Sequence, residues 1–270
     1  MRYHPYHATV PPPLAPPPRT ASPLVSRLVS WSGVLPLTAF LLVHAATNAR
    51  VLWGDAALAR TATALGHVPG IALVVWILVG VPLAFHAGAG LWLVATRRAL
   101  ATPSPYPPAV RTALRWTGVG TAAFLALHVP ELSSSARDDG GQAATILAAA
   151  LSATSSGVPW RGLVYLAGVA CVSFHASAGL WGAFATSERG RSSDRARRWA
   201  AWGAGGVGAG LCVVLGSIVV FYATGTRAFG TPERAISTEP CPTPPASSAR
   251  SSEARGRTRD TPETAPARSN

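Results

Sequence analysis

The chain has 270 residues, 49% of them hydrophobic and 13% charged, with a formal charge of +12. Its apolar residues are gathered: no charged residue falls between Arg27 and Arg50, Arg60 and Arg97, Arg115 and Glu131, Arg161 and Glu188, or Arg198 and Arg227. A bilayer core takes ~20 residues of helix, so the windows exclude a soluble globular enzyme, and they exclude a disordered or collagen-like chain despite 26 Gly and 24 Pro.

Residues 1–22 carry two Pro triplets and read as an extended, Pro-rich cytoplasmic tail, too polar for a signal peptide. Membrane insertion is expected to begin with the first helix. Helix I is expected over 23–48, with Pro36 as a mild kink, and helix II over 68–95, with Pro82 one turn before His86. Helix III is expected from Val110 to Pro130, with Arg111 and Arg115 reaching toward the interface. Residues 142–155 are Ala- and Leu-rich but short, and read as an interfacial helix. Helix IV is expected over 159–186 and helix V over 199–222. From 225 onward the composition turns to Pro, Ser, Thr and Arg, a tail with nothing to bury.

The fold class is therefore an all-α integral membrane bundle of five spans between two tails. All 23 basic residues are Arg, and they flank the spans, so they read as topology signals and not as a nucleic-acid surface. Arg97, Arg98, Arg111 and Arg115 lie between helices II and III, and Arg189, Arg191, Arg195, Arg197 and Arg198 between IV and V. Against these nine stand Arg50, Arg60, Arg137 and Arg161 in the other two loops. The N-terminus is thus expected in the cytoplasm and the C-terminus on the opposite side. Cys171, Cys212 and Cys241 have neither zinc-site spacing nor an even count.

Phe85-His-Ala-Gly-Ala-Gly-Leu-Trp92 returns as Phe174-His-Ala-Ser-Ala-Gly-Leu-Trp181, identical at seven of eight positions. Trp31-Ser-Gly-Val and Phe40-Leu-Leu-Val-His44 return as Trp116-Thr-Gly-Val and Phe124-Leu-Ala-Leu-His128. Helices I–II and III–IV therefore read as a parallel internal repeat with helix V appended. Each copy carries two intramembrane histidines, His44 and His86, then His128 and His175. A single such ring is satisfied by a bond between helices. Four at equivalent places ask for a common partner.

Depth pairs them. His86 and His175 stand ~15 Å from the cytoplasmic ends of their helices, and His44 and His128 lie nearer the outer ends. Two histidines on facing helices suit the two axial positions of a haem iron, and Gly88, Ala89, Gly90, Ala176, Ala178 and Gly179 leave room for a flat macrocycle or serve close helix packing. No C-x-x-C-H occurs, so haem would be held non-covalently, as b-type, and two filled axial positions suit electron transfer. Zinc fits less well, because two His in a layer do not complete a tetrahedral set.

These segments, with Ser26-Arg-Leu-Val-Ser-Trp-Ser-Gly-Val-Leu-Pro-Leu37 and His44-Ala-Ala-Thr-Asn48, resemble the cytochrome b membrane subunit of succinate dehydrogenase. The likeness is to the single-chain, five-helix, di-haem type of bacteria that use menaquinone, and it covers about residues 24–224. It implies a distal haem on His44 and His128 and a proximal haem on His86 and His175, in the bacterial cytoplasmic membrane. It further implies a flavoprotein subunit and an iron–sulfur subunit docked on the cytoplasmic face, and electron exchange with quinone, with succinate chemistry confined to the flavoprotein.

Haem propionates are anionic, so Arg27, Arg115 and Arg189 are candidate anchors, with Ser26 and Ser30 as donors. The same arginines also serve as ordinary flanking residues. His67, near the outer start of helix II, is a candidate in quinone protonation or an interfacial histidine. Some members of the family carry an acidic residue near the start of helix II, whereas 59–75 here holds no Asp or Glu. Two further readings remain open: a cytochrome b subunit of another quinone-linked dehydrogenase, such as formate dehydrogenase or hydrogenase, and a non-haem transporter using His as proton relays.

Overall fold

The structure is a computed structural model that describes residues 20–100, 104–135 and 143–226. Most of both expected tails, with His4, His7, Arg137 and Cys241, lies outside the described residues. Within them the regular structure is helical, accompanied by two isolated bridges, Thr20 with Ala99 and Ser155 with Val158.

Helix α1 spans Pro23–Trp53. Ser22 caps it, its hydroxyl accepting from the Val25 N–H at 3.3 Å, and Pro23 sits where a missing N–H costs nothing. Ala21 donates to the Ala99 carbonyl at 2.9 Å. The last residues of the expected tail are thus pinned against the chain that follows the second long helix. Pro36 has no N–H for the carbonyl one turn back, and the wider π-turn Gly33–Leu37 absorbs the gap. Gly54, at φ 122°, ends α1 and opens α2, Asp55–Gly66, a helix the hydropathy windows do not reveal.

Helix α3 spans Ile71–Ala95, with a second π-turn at Trp76–Gly80 just before Pro82. Then come α4, Pro108–Ser135, α5, Ala143–Ser152, α6, Trp160–Ala185, α7, Glu188–Ser192, and α8, Asp194–Thr224. Helix α4 runs through Pro130 for a further turn, beyond the expected end. Proline normally stops a helix there, but Glu131 in that turn is tied to Arg161 and Tyr165 of α6. Helix α8 starts at Asp194, earlier than the expected 199, because the Ser193 hydroxyl accepts from the Ala196 N–H at 3.2 Å. The charges of Asp194 to Arg198 end an apolar window without ending a helix.

Among the described residues, four helices are both long and apolar enough to cross a bilayer: α1, α3, α6 and α8, with mean hydropathies of 1.6, 2.2, 1.6 and 2.2. Helix α4, at 28 residues, is long enough, but Arg111, Arg115, His128 and Glu131 dilute its apolar character. Large apolar side chains face outward along these helices, Trp76, Ile77 and Leu78 being more than half exposed. An apolar surface of this extent fits lipid and not water.

Helix α1 packs on α3, α3 on α4, α4 on α6 and α6 back on α1, while α8 lies against α6, α1 and α5. Around one end of this bundle Val51, Leu52, Leu151, Tyr165, Val169, Ile218, Val219 and Tyr222 form the buried core. Leu151 of α5 is buried there. Helix α5 is therefore short, as expected, and is packed into the protein through Leu151.

Candidate functional site

The four histidines come from the four helices of the ring, and they meet across its diagonals. His44 on α1 faces His128 on α4, with ring centroids 6.1 Å apart and planes at 90°. His86 on α3 faces His175 on α6 at 6.0 Å and 76°. Gly33, beside His86, and His44 stand eleven residues apart on α1, so the layers are separated by ~16 Å along the bundle.

His86 and His175, named the inner pair from the expected topology, with His44 and His128 the outer pair, are held by two matching sets of contacts. His86 Nδ1–H donates to the Val29 carbonyl at 2.9 Å, with Ser32 Oγ at 3.4 Å. His175 Nδ1–H donates to the Leu114 carbonyl at 3.2 Å. Val29 stands four residues before Gly33, and Leu114 four before Gly118. Each glycine lies flat against the ring its helix holds: a Cβ on Gly33 would meet His86 Cε1 at 2.5 Å, and one on Gly118 would meet His175 Cε1 at 2.8 Å. Bonding Nδ1–H to a carbonyl selects the tautomer whose Nε2 carries a free lone pair.

The outer pair is held by rings. Phe40 packs beside His44 at 5.3 Å and 30°, and Phe124 stacks on His128 at 5.1 Å and 22°. Asn48 Nδ2 donates to the His44 carbonyl at 2.8 Å and lies 3.4 Å from its Nδ1. Tyr165 meets His128 edge-on at 5.7 Å. Among the described residues His128 Nδ1 is buried with no hydrogen-bond partner.

These residues fit haem iron. A metal–imidazole bond of ~2 Å on each side, plus the reach from nitrogen to ring centre, sets two axial rings ~6.3 Å apart between centroids. The observed 6.0 and 6.1 Å lie close to that value. Each pair brings two imidazoles together, and among the described residues no group of three His, Cys, Asp or Glu is placed to hold a metal ion. One turn beyond His86 and His175 on the same helix faces, a Cβ at Gly90 or Gly179 would meet nothing within 4 Å.

The remaining candidates are distributed differently. Arg27, Arg115 and Arg189 are exposed, at the end of the bundle nearer the inner pair. Ser26 is buried, and Ser30 Oγ donates to the Ser26 carbonyl at 3.0 Å within its own helix turn. His67 is exposed at the end of α2 and meets none of the four rings.

The sequence reading passed over Val29, Gly33, Leu114, Gly118 and Tyr106. The first four lie in or beside the repeated Trp-Ser/Thr-Gly-Val segments, which were the available signal. Tyr106, in the loop before α4, donates its phenol hydrogen to the Ala178 carbonyl, and its ring lies 4.8 Å from Trp181, tilted at 51°. It fits because Gly182 has no side chain there.

Burial pushes the Tyr106 phenol up from 10.0 to about 12, partly opposed by hydrogen bonding from the Gly182 backbone. Between those two values the unfolded chain gives up this proton while the folded chain keeps it, so stability falls as pH rises through that window. Tyr106→Phe is expected to flatten that alkaline decline in thermal unfolding of the detergent-solubilised chain. An unchanged slope would show that Tyr106 does not cause it.

Comparison with protein-family models, with curated proteins and with solved structures gives no match to this chain.

Proposed function

We propose that the chain is the di-haem cytochrome b membrane subunit of a succinate dehydrogenase/fumarate reductase complex. It exchanges electrons between an iron–sulfur subunit and membrane quinone, menaquinone by resemblance. The observation that carries this reading is the pairing of four histidines in two layers, at 6.0 and 6.1 Å, with the inner pair offering Nε2. Two b-type haems, when bound, supply a one-electron relay across the membrane.

His86 and His175 would hold the inner haem, and His44 and His128 the outer one. Val29 and Leu114 orient the inner ligands through their carbonyls, while Phe40 and Phe124 orient the outer ones through their rings. Arg27, Arg115 and Arg189 supply positive charge at the inner end for propionates. In this reading α4 is a fifth span, its His128 facing His44 and its Glu131 tied to Arg161 and Tyr165, and α1–α3 and α4–α6 are the two copies of the repeat. The N-terminus and the inner haem then face the cytoplasm, where the flavoprotein and iron–sulfur subunits dock.

The test is a dithionite-reduced minus oxidised spectrum of the full chain purified from membranes in mild detergent, with a pyridine haemochrome count. About two b haems per chain are expected. A colourless protein after expression with ample haem would sink the reading. Co-purification with a flavoprotein and an iron–sulfur protein that together reduce quinone with succinate identifies the complex, and partners that oxidise formate or hydrogen would assign a different one.

A further inference from the structure

Among the described residues, the carboxylate, guanidinium and phenol beside the outer histidine pair have no counterpart at the inner one. Glu131 follows His128 by three residues on α4, which puts the two side chains on one face of that helix. From α6, Arg161 and Tyr165 stand one turn apart and both reach this carboxylate. Arg161 Nη2 pairs with Oε1, and the Tyr165 hydroxyl donates to Oε2. The Tyr165 ring is 5% exposed and touches two rings, His128 at 5.7 Å and 72° and Phe124 at 5.2 Å and 87°.

A charge pair is therefore linked to the plane of an imidazole through one buried phenol. Phe124 covers a face of His128 and Tyr165 closes its side. The Tyr165 position is in turn set by its bond to Glu131. Gly168 of α6 leaves the space that Phe124 fills, since a Cβ there would stand 2.3 Å from the Phe124 ring.

We propose that Tyr165, Glu131 and Arg161 are positioning residues for His128, fixing its ring plane and setting the reduction potential of the outer site through the balance of one carboxylate and one guanidinium. This rests on the two-haem reading above. Outer partners of a ligating histidine orient it and tune its metal. A nearby anion favours the oxidised, more positive iron, and a nearby cation disfavours it. The Glu131 side chain is 25% exposed, so its field is screened less than that of a surface residue, whereas Arg161, at 57%, is the more hydrated partner.

The test is a redox titration of the full chain in mild detergent, followed optically, with low-temperature EPR of the oxidised protein. Tyr165→Phe, which keeps the ring and removes the hydroxyl, is expected to move the lowest-field EPR signal of the outer haem alone, because that signal follows the angle between the axial ring planes. Glu131→Gln is expected to raise the outer midpoint potential and Arg161→Gln to lower it, with Arg161→Lys near wild type and the inner haem unmoved throughout. Shifts of the same sign in Glu131→Gln and Arg161→Gln, equal shifts in both haems, or no shift in any variant would overturn the proposal. A wild-type chain without haem would overturn the two-haem reading itself, an outcome separable from the others before any variant is made.

Discussion

On the two-haem reading, His86→Ala is expected to remove about half of the haem from the purified chain and His44→Ala the other half, each leaving the partner layer intact. The two layers share no side chain: the inner one is built on Val29, Gly33, Leu114 and Gly118, the outer one on Phe40, Asn48, Phe124 and Tyr165. Losing one of its two histidines would weaken retention of that haem, while ~16 Å of packed helix would insulate the other. The measurement is the haemochrome count together with the reduced-minus-oxidised spectrum, in which each variant should keep one of two resolvable components. Loss of both components in either variant would mean that the layers are not independent, and retention of both would remove that histidine from the ligand set.

The second large effect is expected at two glycines. Gly33→Ala puts a methyl group 2.5 Å from His86 Cε1, and Gly118→Ala puts one 2.8 Å from His175 Cε1, well inside contact distance. Neither ring can yield without giving up its Nδ1 bond to Val29 or Leu114. Overpacking of this kind costs ~1–3 kcal/mol, which at ~1.4 kcal/mol per tenfold would be a ~5- to ~140-fold loss of affinity for the inner haem. The outer haem should be retained. Gly205→Ala on α8, where a Cβ would meet nothing within 4 Å, is the matched control and should bind both. Equal loss of haem in Gly33→Ala, Gly118→Ala and Gly205→Ala would point to a general packing defect and not to the histidine contacts.

Much of this was legible from residue order. Long uncharged windows imply helices because a bilayer leaves a backbone no other way to satisfy its polar groups, and the expected bounds of the long apolar helices lie within a few residues of those observed. The four histidines stood out because a polar ring in an apolar window needs a partner. Their diagonal meeting at 6.0 and 6.1 Å required the helices to be placed. Glu131 looked like the end of a span, since Pro130 precedes it. In the structure its ties to Arg161 and Tyr165 carry α4 through the proline. Helix α2 escaped notice because a short, Ala-rich segment containing Arg60 shows no long apolar window.

Local composition alone determined where the chain is apolar, where its long apolar helices run and which side chains would be out of place in lipid, because those properties belong to runs of neighbouring residues. Which carbonyl each inner histidine bonds, which glycine its ring rests on, and which charge stands behind His128 were decided only by the tertiary structure. Those contacts join residues tens of positions apart, such as Val29 with His86 and Glu131 with Arg161. They come into being when four helices pack closely enough for a missing side chain to matter.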